Sequence, residues 1–231
     1  EIYTILSSAA SDVYKRQAVG YQALKANTTG ASNTAIGSES LDAVTTGDAN
    51  TAVGRFAGSA ITTGLGNTAI GYQALDALTT SNYNTAIGFD ALSANTAADN
   101  VAVGTNALNA CTTGTANTGI GRSALEASTT NDHNTAIGRS AASSQTTAGN
   151  TIAIGSSAAS NLTTGNNNTV VGTSAGQAIV DSSSNVLFGY AVNTSASGVS
   201  ELVIGVSKTG KGDGTGFIAP PGDGNLFQGN N

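Results

Sequence analysis

The sequence predicts an all-β protein, a parallel β-solenoid (β-roll) of about twelve coils of 16–17 residues. Three observations predict it. A glycine preceded by Ile, Val or Phe recurs at Gly20, Gly37, Gly54, Gly71, Gly88, Gly104, Gly121, Gly138, Gly155, Gly172, Gly189 and Gly205, at gaps of 17 with 16 at two steps. A fixed period of this kind is the mark of a repeat architecture, and 17 residues are too few for a helix pair or a propeller blade. Ala, Thr, Ser, Asn and Gly dominate a chain with 10% charged residues, two prolines and a formal charge of −6. Disordered tracts are usually marked by high net charge or abundant proline, so the composition and the apolar periodicity together predict order by repetition.

Each part of the unit has a physical reading. Asn stands four residues before the glycine at Asn33, Asn50, Asn67, Asn84, Asn100, Asn117, Asn134, Asn168 and Asn185. Stacked coils bring such side chains about 4.8 Å apart, so their amides are predicted to form a hydrogen-bonded ladder. Asn150 stands five before Gly155, and "NTIAIG" is read as a bulge with one extra residue. "TAIG" and its variants follow, a β-branched residue for a strand and a glycine for close backbone approach. Ala-Leu recurs three and four residues after the glycine, as in Ala74-Leu75, and shrinks at Ala57-Gly58 and Ala175-Gly176. "TTG" or "TTS" then marks a second corner, as at Thr45-Thr46-Gly47. Each coil is thus expected to hold two short strands and two turns.

Neighbours in a strand point to opposite faces. The adjacent apolar pairs therefore imply that both faces avoid water there, or that a turn intervenes. One face fills the coil interior, and the other is expected to meet a second chain. After Gly205 the text becomes glycine-rich and holds the only two prolines, so the solenoid domain is expected to span residues 18–206 and a linker residues 207–231.

"SSAASDVYKRQ", Ser7 to Gln17, resembles the in-frame translation of a transposase sequencing-library adapter, and residues 1–17 are expected to be non-native. The "NTAIGYQAL" style of repeat, across residues 18–206, resembles the head domains of trimeric autotransporter adhesins and the shafts of phage tail fibres. The resemblance implies a left-handed, homotrimeric β-roll. The adhesin head repeat is shorter, nearer 14 residues, and the TTG corner and "YQAL" wording lean toward the tail-fibre relatives.

Little in the sequence carries chemistry. Eight Lys and Arg against fourteen Asp and Glu cannot neutralise a row of phosphates, so no nucleic-acid partner is expected. No apolar run approaches the roughly 20 residues of a membrane span. One cysteine, Cys111, excludes an internal disulfide and a CxxC site, and it shares its repeat position with Asn, Val, Ile, Leu, Ser and Gln. With the lone His133 in a corner, it supplies no nucleophile–base–orienter set. No Gly-Gly-x-Gly-x-Asp calcium nonapeptide occurs; Asp42, Asp76, Asp90, Asp99, Asp132, Glu39 and Glu126 fall at differing positions and read as solvated charge. "GKGDGTG" lacks the phosphate-loop spacing. The sequons at Asn27, Asn161 and Asn193 bear only on a eukaryotic secretory route. No catalytic residue, metal or cofactor is expected.

The residue after the repeat glycine varies amid fixed neighbours and includes Tyr21, Arg55, Tyr72, Phe89, Arg122, Arg139 and Tyr190. These are good contact residues, so this column is a candidate contact stripe for a receptor or surface glycan, or a packing seam between chains. The expected function is a structural and adhesive segment of a phage tail fibre or bacterial surface adhesin, extracellular and homotrimeric, holding a receptor-binding tip at a distance. The alternatives are a monomeric ice- or surface-binding solenoid using stacked threonines, and a fragment of a polysaccharide-degrading tailspike.

Overall fold

Among the described residues the three-residue strand is the only regular element of a coil, because the glycine that closes it turns the chain away from the extended conformation. Gly54 has φ 133° and Gly88 φ 142°, and the strand cannot continue through them. The computed structural model describes residues 15–195 and 198–218 together with the strand Phe227–Gly229. Residues 1–14 of the adapter-like segment, and residues 219–226, 230 and 231 of the expected linker, lie outside the described residues. The chain divides into two units, Glu1–Ala116 and Asn117–Asn231, and no helix occurs among the described residues.

The first unit stacks β1 (Gln17–Val19), β2 (Thr34–Ile36), β3 (Thr51–Val53), β4 (Thr68–Ile70), β5 (Thr85–Ile87) and β6 (Val101–Val103). Each pairs in parallel with the next, and one alanine column, Ala18, Ala35, Ala52, Ala69, Ala86 and Ala102, runs through the strand centres. Gln17, the last residue of the adapter-like segment, opens β1. The second unit stacks β7 (Thr118–Ile120), β8 (Thr135–Ile137), β9 (Ile152–Ile154), β10 (Thr169–Val171), β11 (Val186–Phe188), β12 (Leu202–Ile204) and β13 (Gly216–Ile218), again parallel. The strand β14 (Phe227–Gly229) pairs antiparallel with β13. Each unit is therefore a parallel β-solenoid.

Among the described residues the expected second strand of the coil does not form. Ala-Leu instead lies in overlapping turns, with Ala74 N–H donating to Gly71 O and Leu78 N–H to Leu75 O. Gln73 and Leu75 both have positive φ, 52° and 54°, a conformation that costs an L-residue about 1–2 kcal/mol. The compensation is burial. Ala74 and Leu75 are both 0% exposed, and a buried leucine contributes about 1.5–3 kcal/mol. An intervening turn is thus what lets adjacent apolar residues both face the core. Turn hydrogen bonds also link coils, as Leu75 N–H to Ala91 O at 3.1 Å.

Volume is exchanged between columns of the core. Where the leucine becomes Gly58, the next inward residue is Ile61, and where it becomes Gly176 that residue is Ile179. A Cβ on Gly58 would lie 3.0 Å from Ile61 Cδ1, and one on Gly176 would lie 3.2 Å from Ile179 Cδ1. The isoleucine shares the space the leucine leaves with Leu41 at Gly58 and with Val170 and Leu187 at Gly176, as close packing requires.

The asparagine side chains are buried and bonded between coils. In the first unit Asn50 N–H and Nδ2 both donate to Asn33 Oδ1, at 2.9 and 3.2 Å, and Nδ2 also donates to Gly64 O. Asn67, Asn84 and Asn100 extend the series. In the second unit Asn134 N–H donates to Asn117 Oδ1, Asn185 N–H to Asn168 Oδ1 and Glu201 N–H to Asn185 Oδ1. Glu201 is 1% exposed, and its carboxylate accepts from Ser195 and Gly212 N–H. The shortened coil before Asn100 is braced by Asn95, whose Nδ2 donates to Ala97 O while its Oδ1 accepts from Ala97 N–H.

The bulge expected at "NTIAIG" is absent. The strand β9 keeps register with β8 and β10, since the Gly138–Gly155 gap is still 17. Asn150 instead takes the corner position with φ 54°, and Thr151 fills the ladder slot. Thr151 N–H donates to Asn134 Oδ1, but its buried hydroxyl has no partner. Thr151→Asn is expected to supply the missing acceptor and donors and to stabilise the fold by about 1 kcal/mol. The thermal midpoint should rise by roughly 2–4 °C; an unchanged or lower midpoint would show that this slot does not accept the ladder geometry.

Candidate functional site

Three surfaces follow from the repeat. The first is the outer face of the sheet. The central residue of each strand, alanine throughout the first unit, points inward, which turns the residues on either side of it outward together. Ile36 is 42% exposed and Ile70 36%. Val19, Ile87, Ile120, Ile137 and Phe188 are exposed in the same column, with Thr34, Thr51, Thr68 and Thr85 half-buried beside it in the first unit. Parallel sheets are ordinarily covered on both faces, and this one leaves a stripe of branched aliphatic side chains open in each unit.

The second surface is the threonine corner, where hydroxyls serve the stack itself. Thr28, Thr45 and Thr62 Oγ1 donate to Thr45, Thr62 and Thr79 O at 3.0, 3.3 and 3.1 Å. Sequence reasoning read these threonines as a turn signal and missed their role as inter-coil donors.

The third is the column after the repeat glycine. Tyr21, Arg55, Tyr72, Phe89, Arg122, Arg139 and Tyr190 are all exposed. In the first unit three rings come together. Tyr72 and Phe89 stack with centroids 5.3 Å apart at 17°, and Phe56 meets Tyr72 edge-on at 6.2 Å and 69°. The Arg55 guanidinium carbon lies 4.2 Å from the Phe56 centroid, a contact of about 0.5–1 kcal/mol at an exposed site. Phe56 was missed because it stands one residue beyond the column. The signal was available: stacking in register carries that position alongside Tyr72 of the next coil.

Beside the rings, Gln73 Nε2 donates to Asp76 Oδ2 at 3.0 Å. The Asp76 carboxyl is held above its ordinary pKa, first by burial and further by the Asp90 charge, against the opposing Gln73 hydrogen bond. Asp42 is raised in the same way, by burial first and by Glu39. A raised folded-state pKa means the folded form holds the proton more tightly. Its stabilising contribution is complete below the ordinary aspartate value of roughly 3.9 and is lost as pH rises through the raised value. Asp76→Asn is therefore expected to gain stability relative to the parent as pH goes from 3 to 7. Thermal midpoints across that range check it; a constant difference would show that Asp76 titrates normally.

The remaining residues singled out by sequence are dispersed. Cys111 is buried, its Sγ 3.5 Å from Gly114 O, in the inward column of Ile61 and Leu78. His133 sits exposed at a corner with φ 60°. Among the described residues no group of three or more His, Cys, Asp or Glu is placed to hold a metal ion, and no helix is long and apolar enough to cross a membrane. Compared with known proteins, the chain matches no family model, no curated protein and no solved structure.

Proposed function

We propose that this chain is a structural and adhesive segment of an extracellular fibre, a phage tail fibre or bacterial surface adhesin, that assembles as a homotrimer. The observation that carries the reading is the open outer face of the parallel sheet, with its column of Ile and Val in each unit. Contiguous apolar surface of this kind marks an interaction site, and a repeat surface is most simply covered by an identical repeat at the same period. The left-handed trimeric roll implied by the sequence resemblance supplies such a partner. The work done is mechanical: coil-to-coil backbone and asparagine bonds hold the stack, and it lengthens by adding coils without redesigning the core. The solution mass of the full chain tests this.

One observation favours a second reading, a monomeric ice- or surface-binding solenoid. Thr34, Thr51, Thr68 and Thr85 form a column on the open face, although Val101 interrupts it. A thermal-hysteresis measurement on the monomer would support that reading, and its absence would remove it. The corner threonines do not contribute to it, because their hydroxyls are bonded to the next coil.

A further inference from the structure

The ring cluster of the first unit has an order along the stack that mechanical work does not use. Backbone bonds from Gln73 N–H to Arg55 O, Asp90 N–H to Tyr72 O and Asn106 N–H to Phe89 O set the coils in succession. Arg55 closes one end of the stack by lying over Phe56. At the other end, the residue in register with Phe89 is Thr105, too short to cover a ring, and Phe89 stays 50% exposed. Its neighbour Asp90 has a buried Oδ1 that accepts no hydrogen bond.

We propose that Phe89, backed by Tyr72, is the stacking platform of a saccharide-binding site that takes a neutral pyranose. An aromatic face is the negative side of the ring quadrupole, and the C–H face of a pyranose presents its complement with little water to lose. The hydroxyls at the sugar's rim need polar partners. Asp90 lacks a donor and gains one by rotating its side chain toward the rim, and the Asn106 side chain lies one coil on. The rings are held by their mutual stacking before any ligand arrives, so little rotamer freedom is lost on binding. Arg55 holds its positive charge at the far end of the cluster, 4.2 Å from the Phe56 centroid and 6.0 Å from that of Tyr72, whereas Asp76 and Asp90 place negative charge at the Phe89 end, which disfavours uronic and sialic acids there. This site deepens the surface-glycan side of the fibre reading, but it lies within one unit of one chain and needs no assembly.

The test is depletion of the full-length chain from solution by insoluble cellulose, chitin and immobilised yeast mannan, with polygalacturonate gel as the acidic control. Retention is expected on at least one neutral polysaccharide and not on polygalacturonate. Phe89→Ala should weaken retention at least tenfold. Phe89→Leu, which keeps apolar bulk without an aromatic face, should do nearly the same with an unchanged circular dichroism spectrum. Tyr83→Ala removes an exposed ring at a corner outside the contact stripe, where Ala49 and Ala116 already take the same positive φ, and should retain binding. Retention on no neutral polysaccharide, or equal losses for Phe89→Leu and Tyr83→Ala, would overturn the site. A fall in solution mass on Phe89→Leu with retention unchanged would also overturn it, assigning the rings to a contact between chains. A monomeric parent that still binds chitin or mannan would remove the trimer and leave the site standing.

Discussion

Gly88→Ala is expected to destabilise the protein by about 3 kcal/mol or more, the range of a residue forced into a sparsely allowed backbone region with no room to relax. Two effects combine. The φ of 142° at Gly88 is closed to residues with a Cβ. An added Cβ would also lie 2.5 Å from Gly104 O, a backbone atom of the next coil. Gly54 has the same geometry, with Gly71 O 2.6 Å away, so relieving one coil displaces its neighbour. Chemical denaturation should show the midpoint falling sharply for Gly88→Ala. As a control, Gly214→Ala has nothing within 4 Å of the added Cβ and carries only the strain of its own φ of 69°. A loss at Gly88 no larger than that at Gly214 would mean that the repeat glycine is a matter of backbone freedom alone, without the inter-coil contact.

Asn67→Ala should cost about 3 kcal/mol and lower the thermal midpoint by roughly 6–12 °C. The buried Asn67 Nδ2 donates to Asn50 Oδ1 at 3.2 Å and to Ser81 O at 2.9 Å, while its Oδ1 accepts from Asn84 N–H and Nδ2. Truncation removes all of these and leaves a buried amide N–H unpaired, which costs more than the net value of a single hydrogen bond. Asn67→Asp keeps one acceptor but turns a buried carboxylate oxygen toward Asn50 Oδ1 and Ser81 O, so at neutral pH it should cost at least as much as the alanine variant. Equal midpoints for parent and alanine would show that water replaces the ladder at no cost. Calorimetry measures both.

Periodicity made the coil legible. The glycine spacing gave the number of coils and the asparagine spacing gave a column that is buried and bonded at Asn33, Asn50 and Asn67. The conformation between the columns was not legible, for a local reason. Leu75 and Gln73 have side chains that ordinarily avoid positive φ, and nothing in their identity signals a left-handed turn; burial of Leu75 and Ala74 pays for it. The misread bulge at Asn150 has the same origin, since Asn serves both as a ladder residue and as a corner residue with positive φ, at Asn167 as at Asn150. The continuation into β13 was masked because Phe217 pairs with Val203 only 14 residues earlier, off the period of 16–17, and because no repeat glycine follows Ile218. In the column after the repeat glycine the exposed residues were legible, whereas the meeting of Phe56 with Tyr72 required the register between coils.

The central claim is that the open apolar face of the sheet is covered by further copies of the same chain. Light scattering after size exclusion, on the full chain at physiological salt, measures this directly. The account predicts a mass three times the 22.5 kDa of one chain. A mass of 22.5 kDa that holds at high protein concentration would contradict it, leaving the Ile and Val column exposed on a single-chain solenoid.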